Sequence, residues 1–215
     1  MEILVTGFDP FDGEPINPAW EAVKRLDGKV IDGQHPVHAL MIPTVRYEAL
    51  SAIKRGIERF DPQLMIAVGQ AGGRMAITPE RVAINCDDFR IPDNKGNQPI
   101  DEMIVPDGPA AYFSTLPIKR IVMRLMAAGL PAQVSNSAGT FVCNHVFYGL
   151  MDFMKKEGKG RRGGFIHVPY LPKQAARLKN EPSMSLEMIV EGLTLAIKAS
   201  VEIGVDERMT DGVEC

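Results

Sequence analysis

Three short segments of this chain carry side chains that can work together on a carbonyl group. They are a cysteine in SNSAGTFVCN (Ser135–Asn144), a histidine in FIHVPYLP (Phe165–Pro172) and a glutamate in ITPERVAIN (Ile77–Asn85). Cys143 is the chemical centre of the first. Small polar residues and Gly139 lead into it, and beyond it Val146, Phe147, Leu150, Met151 and Met154 recur at helical spacing. The thiol thus stands at a helix N-terminus, where backbone N–H groups and the helix dipole favour an anion, and the expectation is a thiol acidified towards thiolate. On this placement alone Cys143 reads equally as a nucleophile and as a buried structural cysteine.

A thiol nucleophile needs a base at hydrogen-bond distance, and the base needs a third group to fix its tautomer. His145 is nearest to Cys143 in sequence, but residues two apart on a helix face different ways, so it is expected to cap or decorate the helix. His35 and His38 flank the start of a strand and read as surface or structural residues. His167 ends an apolar run, the position at which an α/β fold presents functional side chains. Glu80 is attractive as the third group because its surroundings are apolar and Pro79 precedes it. Taken alone it reads first as a partner for Arg81 or a solvated carboxylate, and the sequence by itself does not choose the third group.

The elements that must position these residues alternate. Strands are expected at Ile3–Thr6, Val37–Ile42, Leu64–Val68, Val82–Asn85, Ala132–Ser135 and Phe165–Val168. Helices are expected at Trp20–Leu26, with Asn17 as a start signal, and at Tyr47–Phe60, Ile118–Ala128 and Leu186–Val201. Leu64–Val68 is a continuous apolar run, as in a strand covered on both faces. The helix Tyr47–Phe60 places Leu50, Ile53, Ile57 and Phe60 on one face, and the last helix turns Leu186, Ile189, Val190, Leu193 and Ile197 inward. The remainder of Glu80–Pro109 reads as irregular chain. With no internal repeat or low-complexity linker, the fold class is a single-domain open twisted α/β sheet with helices on both faces, spanning 1–215. Ligands gather at the carboxyl ends of strands in such folds. One candidate loop, GQAGGR (Gly69–Arg74), lacks the Walker lysine and the dinucleotide spacing, and reads as a tight turn lining a pocket.

Composition narrows the function. The 215 residues are 45% hydrophobic and 24% charged, an ordinary globular mixture, with a formal net charge of −3 and no basic block. A general nucleic-acid binder is not expected. The start, MEILVTGF, enters a strand without a basic, apolar leader, and no apolar run has membrane length, so neither a signal peptide nor a membrane span is expected. Cys86, Cys143 and Cys215 are odd in number and have no metal-type spacing. A reduced, cytoplasmic protein with free thiols follows as the expectation.

Together with the opening TGFDPFDGEPINP, the three reactive segments occur in the order found in pyroglutamyl-peptidase I, the pyrrolidone-carboxylate peptidases, a family of cysteine peptidases that the chain resembles over nearly its whole length. The resemblance implies Glu80, Cys143 and His167 as a catalytic triad. It also implies removal of N-terminal pyroglutamate from peptides, no metal or organic cofactor, and often a homotetramer inside the cell. The family's ring-holding aromatic residues match Phe8 and Phe11, and Phe141 can add apolar surface. Gln70, in the glycine-rich turn, joins them as a substrate-binding candidate. Arg90 is a candidate for helping to stabilise an oxyanion. Asp12 departs from the glycine often found after the second phenylalanine, which bears on the shape of the first loop. Two other readings remain. A phosphorylase on a similar scaffold would need a basic phosphate pocket, and a non-catalytic binding protein would not need all three triad positions filled.

Overall fold

Apolar runs build the centre of the sheet. β1 (Ile3–Phe8) is buried at every position, as a strand covered on both faces must be. The chain continues through α1 (Pro18–Val23), β2 (Val30–Ile31), β3 (His35–Ile42), α2 (Glu48–Phe60), β4 (Leu64–Gln70), β5 (Thr78–Pro79), β6 (Val82–Ile84) and β7 (Ala111–Phe113). Then come α3 (Ile118–Ala127), α4 (Val142–Glu157), β8 (Arg162–Val168), α5 (Pro172–Ala175) and α6 (Leu186–Val201). The computed structural model describes residues 1–202 and 204–212, so Cys215 lies outside the described residues.

Six strands form one mixed open sheet in the order β2-β3-β1-β4-β8-β5. β3, β1, β4 and β8 run parallel, while the short edge strands β2 and β5 pair antiparallel. Side chains alternate across a strand, so each central strand feeds two cores. Ile3 and Val5, Leu64, Ile66 and Val68, and Ile166 and Val168 pack beneath α1, α3 and α6. Leu4 and Phe8, Met65 and Ala67, and Phe165 pack on the other face against α2 and α4. His167 shares the parity of Phe165, which turns it towards the α4 face.

The expected architecture of an open α/β sheet covered by helices on both faces is the one observed. Its details differ in instructive ways. Asn17 does start the first helix, its side chain accepting from the Ala19 N–H, with Pro18 at the first position where no N–H is needed. In α2 the buried stripe includes Ala49, Ala52 and Gly56 beside Ile53 and Ile57, while Leu50 is only partly covered. Small residues let α2 lie close to its neighbours: a Cβ on Gly56 would sit 2.9 Å from Leu40.

Ala132–Ser135 is not a strand. Only single bridges form there, Ile77 to Ala132 and Glu80 to Ser135. Val82–Ile84 is a strand, but it pairs with β7 in a separate two-stranded sheet and not in the main one. β5 and the Arg162–Gly164 start of β8 carried no strand signal, since Thr-Pro is too short and glycine supplies no side chain for a pattern.

Candidate active site

The edge strand β5 brings a carboxylate to an imidazole. Thr78 pairs with His167 and Pro79 with Ile166, and the Glu80 N–H donates to the Phe165 carbonyl at 2.9 Å. The side chain of Glu80 is thereby folded under β8, fully buried, with Oε1 2.7 Å from Nδ1 of His167. A carboxylate only accepts, so Nδ1 carries the hydrogen and Nε2 keeps its lone pair. The ring is flanked by Phe165, centroids 4.8 Å apart. His167 and Glu80 are 4% and 0% exposed, a protected pair fixed in one tautomer.

Cys143 is the second residue of α4. The first intrahelical bond runs from His145 N–H to the Phe141 carbonyl, and Phe141 makes no side-chain cap. The amides of the first turn therefore have no intrahelical acceptor. The turn is instead anchored from its flanks. Buried Asn144 accepts from the Ile84 N–H at 3.0 Å and donates to the carbonyls of Ile84 and Cys86 at 2.9 Å each. The sulfur lies over Gly69, where an added Cβ would be 2.9 Å away. Gly69 is in register with His167, so one bare position in β4 makes room for the thiol beside the imidazole.

Cys143 and His167 open on the same cavity of about 260 Å³, whose walls include Phe8, Phe11, Phe141, Gln70 and Arg74. Phe11 and Phe141 face each other at 6.0 Å, and Phe89 backs Phe141 edge-on at 4.7 Å. Phe8 is 2% exposed and packs on Phe165, so it belongs to the core as much as to the cavity. Gln70 is held by Gln174, which donates to its Oε1 at 2.9 Å. Arg90 lies elsewhere. It lines an adjoining cavity of about 750 Å³ with Asp12, Asp88 and Tyr170, and the two cavities share Phe11, Gln70, Gly72 and Phe141. Asp12 holds a left-handed backbone, φ 53°, the conformation glycine would adopt without strain.

The electrostatics run against one expectation. Burial pushes the Cys143 thiol up to about 12, and the Glu80 charge adds to the rise, while Arg74 opposes it. Burial and the Glu80 charge thus work against the helix N-terminus and favour the protonated thiol. Burial also pushes His167 below its ordinary value, the Glu80 hydrogen bond and charge offsetting this only in part and Arg74 lowering it further. Burial pushes Glu80 up, but its bond and charge interaction with His167, aided by Arg74 and Ser135, hold it below the ordinary carboxylate value. These shifts favour a neutral thiol, a neutral imidazole and an ionised acid.

His145 is the other correction. It neither caps nor decorates α4: it is fully buried, Nδ1 lying 2.8 Å from Asp87 and Nε2 accepting the Tyr47 N–H at 3.1 Å. Arg46 completes the cluster with an ion pair to Asp87 at 2.9 Å. This fixes Tyr47 at a positive φ of 61° and ties two loops to α4. Both of its ring nitrogens are engaged, so His145 has none to offer the thiol. Cys86 and Cys143 are free thiols. Among the described residues no cluster of three or more His, Cys, Asp or Glu could hold a metal ion, and no helix is long and apolar enough to cross a membrane.

Arg74 and Gly69 are the residues that sequence reading missed. Both lie in GQAGGR, read as a pocket-lining turn, and a strand end at that point was the available signal. Gly69 and Gln70 continue β4, and the turn begins only after them.

The sequence matches the family model described as Pyroglutamyl peptidase over residues 1–203. It is 55% identical to a pyrrolidone-carboxylate peptidase of Vibrio campbellii, covering 100% of this chain and 99% of that one. It is 57% identical to one of Klebsiella pneumoniae, covering 98% and 97%. The crystal structure of pyroglutamyl peptidase I from Bacillus amyloliquefaciens superposes with a TM-score of 0.94 at 51% identity, covering 97% of this chain and 99% of that one. A mutant pyrrolidone carboxyl peptidase from the hyperthermophile Pyrococcus furiosus superposes with a TM-score of 0.89 at 44% identity, covering 94% and 98%.

Proposed function

The chain belongs to the pyroglutamyl peptidase family, and from that premise we propose that it removes N-terminal pyroglutamate from peptides through a Cys143–His167–Glu80 triad and a thioester. The observation that carries this reading is the buried 2.7 Å Glu80–His167 pair sharing one phenylalanine-walled cavity with Cys143. A volume of about 260 Å³ suits a small ring better than a nucleotide. The pyroglutamyl ring is an uncharged lactam, so apolar walls with a few hydrogen bonds fit it, and no carboxylate is needed to pair with an ammonium group.

The neutral resting site sets the order of events. Nε2 of His167 takes the thiol proton as Sγ forms a bond to the carbonyl carbon that joins pyroglutamate to the next residue. Glu80 steadies the imidazolium that results, and the carbonyl oxygen becomes an oxyanion beside the first-turn amides of α4. The tetrahedral species collapses by breaking the C–N bond, and the imidazolium gives its proton to the departing amine. Water then attacks the thioester, losing its proton to His167, and free pyroglutamate leaves as the thiol is restored. Phe11 and Phe141 hold the ring, with Phe8 and Gln70 at its margins. Arg90, on the adjoining cavity, acts on the oxyanion through the field at most, and that cavity receives the departing peptide.

Assaying a chromogenic pyroglutamyl amide beside its prolyl and glutaminyl analogues tests the function. Turnover of the pyroglutamyl compound alone is expected, because groups placed for the lactam go unpaired with proline. Equal turnover of the prolyl analogue, or none of the pyroglutamyl one, would sink the reading. A homotetramer and a cytoplasmic location belong to the same proposal. Light scattering of the purified chain and fractionation of expressing cells test them.

A further inference from the structure

One charged side chain on the cavity wall has no part in the steps above. Arg74 leaves the turn after β4 and makes three contacts. Nη1 donates to Oε1 of Glu80 at 2.6 Å and to Oγ1 of Thr78 at 2.6 Å, and Nη2 donates to the Ser137 carbonyl at 3.2 Å. The guanidinium thus joins the acid, the edge strand that carries it, and the loop that delivers Cys143. It also meets the very oxygen that accepts from His167, so one carboxylate oxygen is divided between a cation and an imidazole.

We propose that Arg74 is a positioning residue for the hydrolysis: by holding Oε1 of Glu80 it withdraws part of that oxygen's charge from His167 and keeps the imidazole free to act as a base. The inference rests on the reading under Proposed function. Its physical ground is competition. A carboxylate with no second partner would bind the imidazolium too well, and a base that stays protonated cannot take the thiol proton. With Arg74 in place the acid still orients the ring but is partly neutralised. The ionisable groups bearing on His167 among the described residues are Glu80, Arg74 and Cys143. Of these, Glu80 favours the imidazolium, and Arg74 and burial oppose it.

Arg74→Gln keeps a donor for Glu80 without the charge, and Arg74→Lys keeps the charge without the planar fork. Two measurements on the full chain separate the possibilities. One is the pH profile of kcat/KM on a pyroglutamyl amide. The other is the NMR titration of the His167 ring in the free protein, which needs no substrate. In Arg74→Gln the acid limb and the ring titration should both move to higher pH. kcat/KM at the acid end should then fall roughly tenfold relative to the alkaline plateau, with KM within about twofold of the parent value. Arg74→Lys should titrate close to the parent chain. Lower kcat in Arg74→Gln with both titrations unmoved makes the role structural and overturns the proposal. A large rise in KM alone makes Arg74 a substrate-binding residue and overturns it too, as does an Arg74→Gln chain that fails to fold. If the parent chain does not hydrolyse the amide, the functional reading fails, and the ring titration still decides what Arg74 does to His167.

Discussion

Replacing Gly69 by alanine tests how narrowly the thiol is seated. The added Cβ would lie 2.8 Å from Cζ of Phe165 and 2.9 Å from Sγ of Cys143, where ordinary contact begins near 3.4 Å. About half an ångström must therefore be found. Phe165 cannot give way, being fully buried between Phe8 and Phe147. Relief must come from β4 moving off Phe165, and the sulfur, which faces the cavity, yields with it. A misplacement of about 1 Å costs roughly a hundredfold in rate, so half of that corresponds to about tenfold in kcat. Overpacking should cost about 1–3 kcal/mol, offset by about 0.5–1 kcal/mol from the stiffer unfolded chain. For a protein of this size that is a fall in Tm of several degrees, roughly 2–4 °C per kcal/mol. Steady-state kinetics on a pyroglutamyl amide, with a melting curve on the same sample, read both effects. A folded Gly69→Ala enzyme with kcat within twofold of the parent would refute the reasoning, since the sulfur would then tolerate displacement.

In a chain with Cys86 and Cys215 changed to serine, alkylation of Cys143 by iodoacetamide should climb about tenfold per pH unit through pH 9, because a thiol pushed up to about 12 is protonated below that value. A plateau below pH 8 would restore the thiolate reading. Cys143→Ser should lose turnover and keep its fold, whereas Cys86→Ser should keep both. His167→Ala should remove turnover and leave Tm within a few degrees. His145→Ala, which strips a buried partner from Asp87, should cost about 3 kcal/mol and lower Tm by on the order of 10 °C; the reverse pattern in kinetics and melting would contradict the assignment of roles. Phe11→Ala should lower kcat/KM roughly tenfold to a hundredfold with little change in Tm. Phe8→Ala should also cost about 3–5 kcal/mol of stability, and equal melting of the two variants would show that Phe8 is not part of the core.

What could be read before the structure was the part of the fold written in side-chain periodicity. Leu64–Val68 and Leu186–Val201 carry their own patterns, and both elements stand where the pattern puts them. β5 carries none. Its two residues become a strand only because β8 lies beside them, and that pairing brings Glu80 to His167. The pairing of two segments far apart in sequence cannot be read from either alone. The same limit explains His145: helical geometry turned it away from Cys143, but nothing nearby in sequence told of Asp87 or Tyr47, which bury it. Arg74 lies in a turn that reads as pocket-lining, but its reach to Glu80 depends on the fold and not on the turn. For the thiol, the helix N-terminus is visible in sequence, while the burial that opposes it is not.

The place of β8 in the sheet bears on how the protein comes to be made. Among the described residues it is the last strand along the chain, yet it lies inside the sheet, between β4 and β5. As the chain leaves the ribosome, amino end first, Glu80 and Cys143 emerge ahead of His167. Until Arg162–Val168 slots into its gap, β4 and β5 each lack the strand that joins them, and Glu80 and Cys143 lack His167. Parallel pairing across so long a stretch is among the slower steps of folding. On the triad proposed above, hydrolytic capacity therefore arrives together with completion of the sheet.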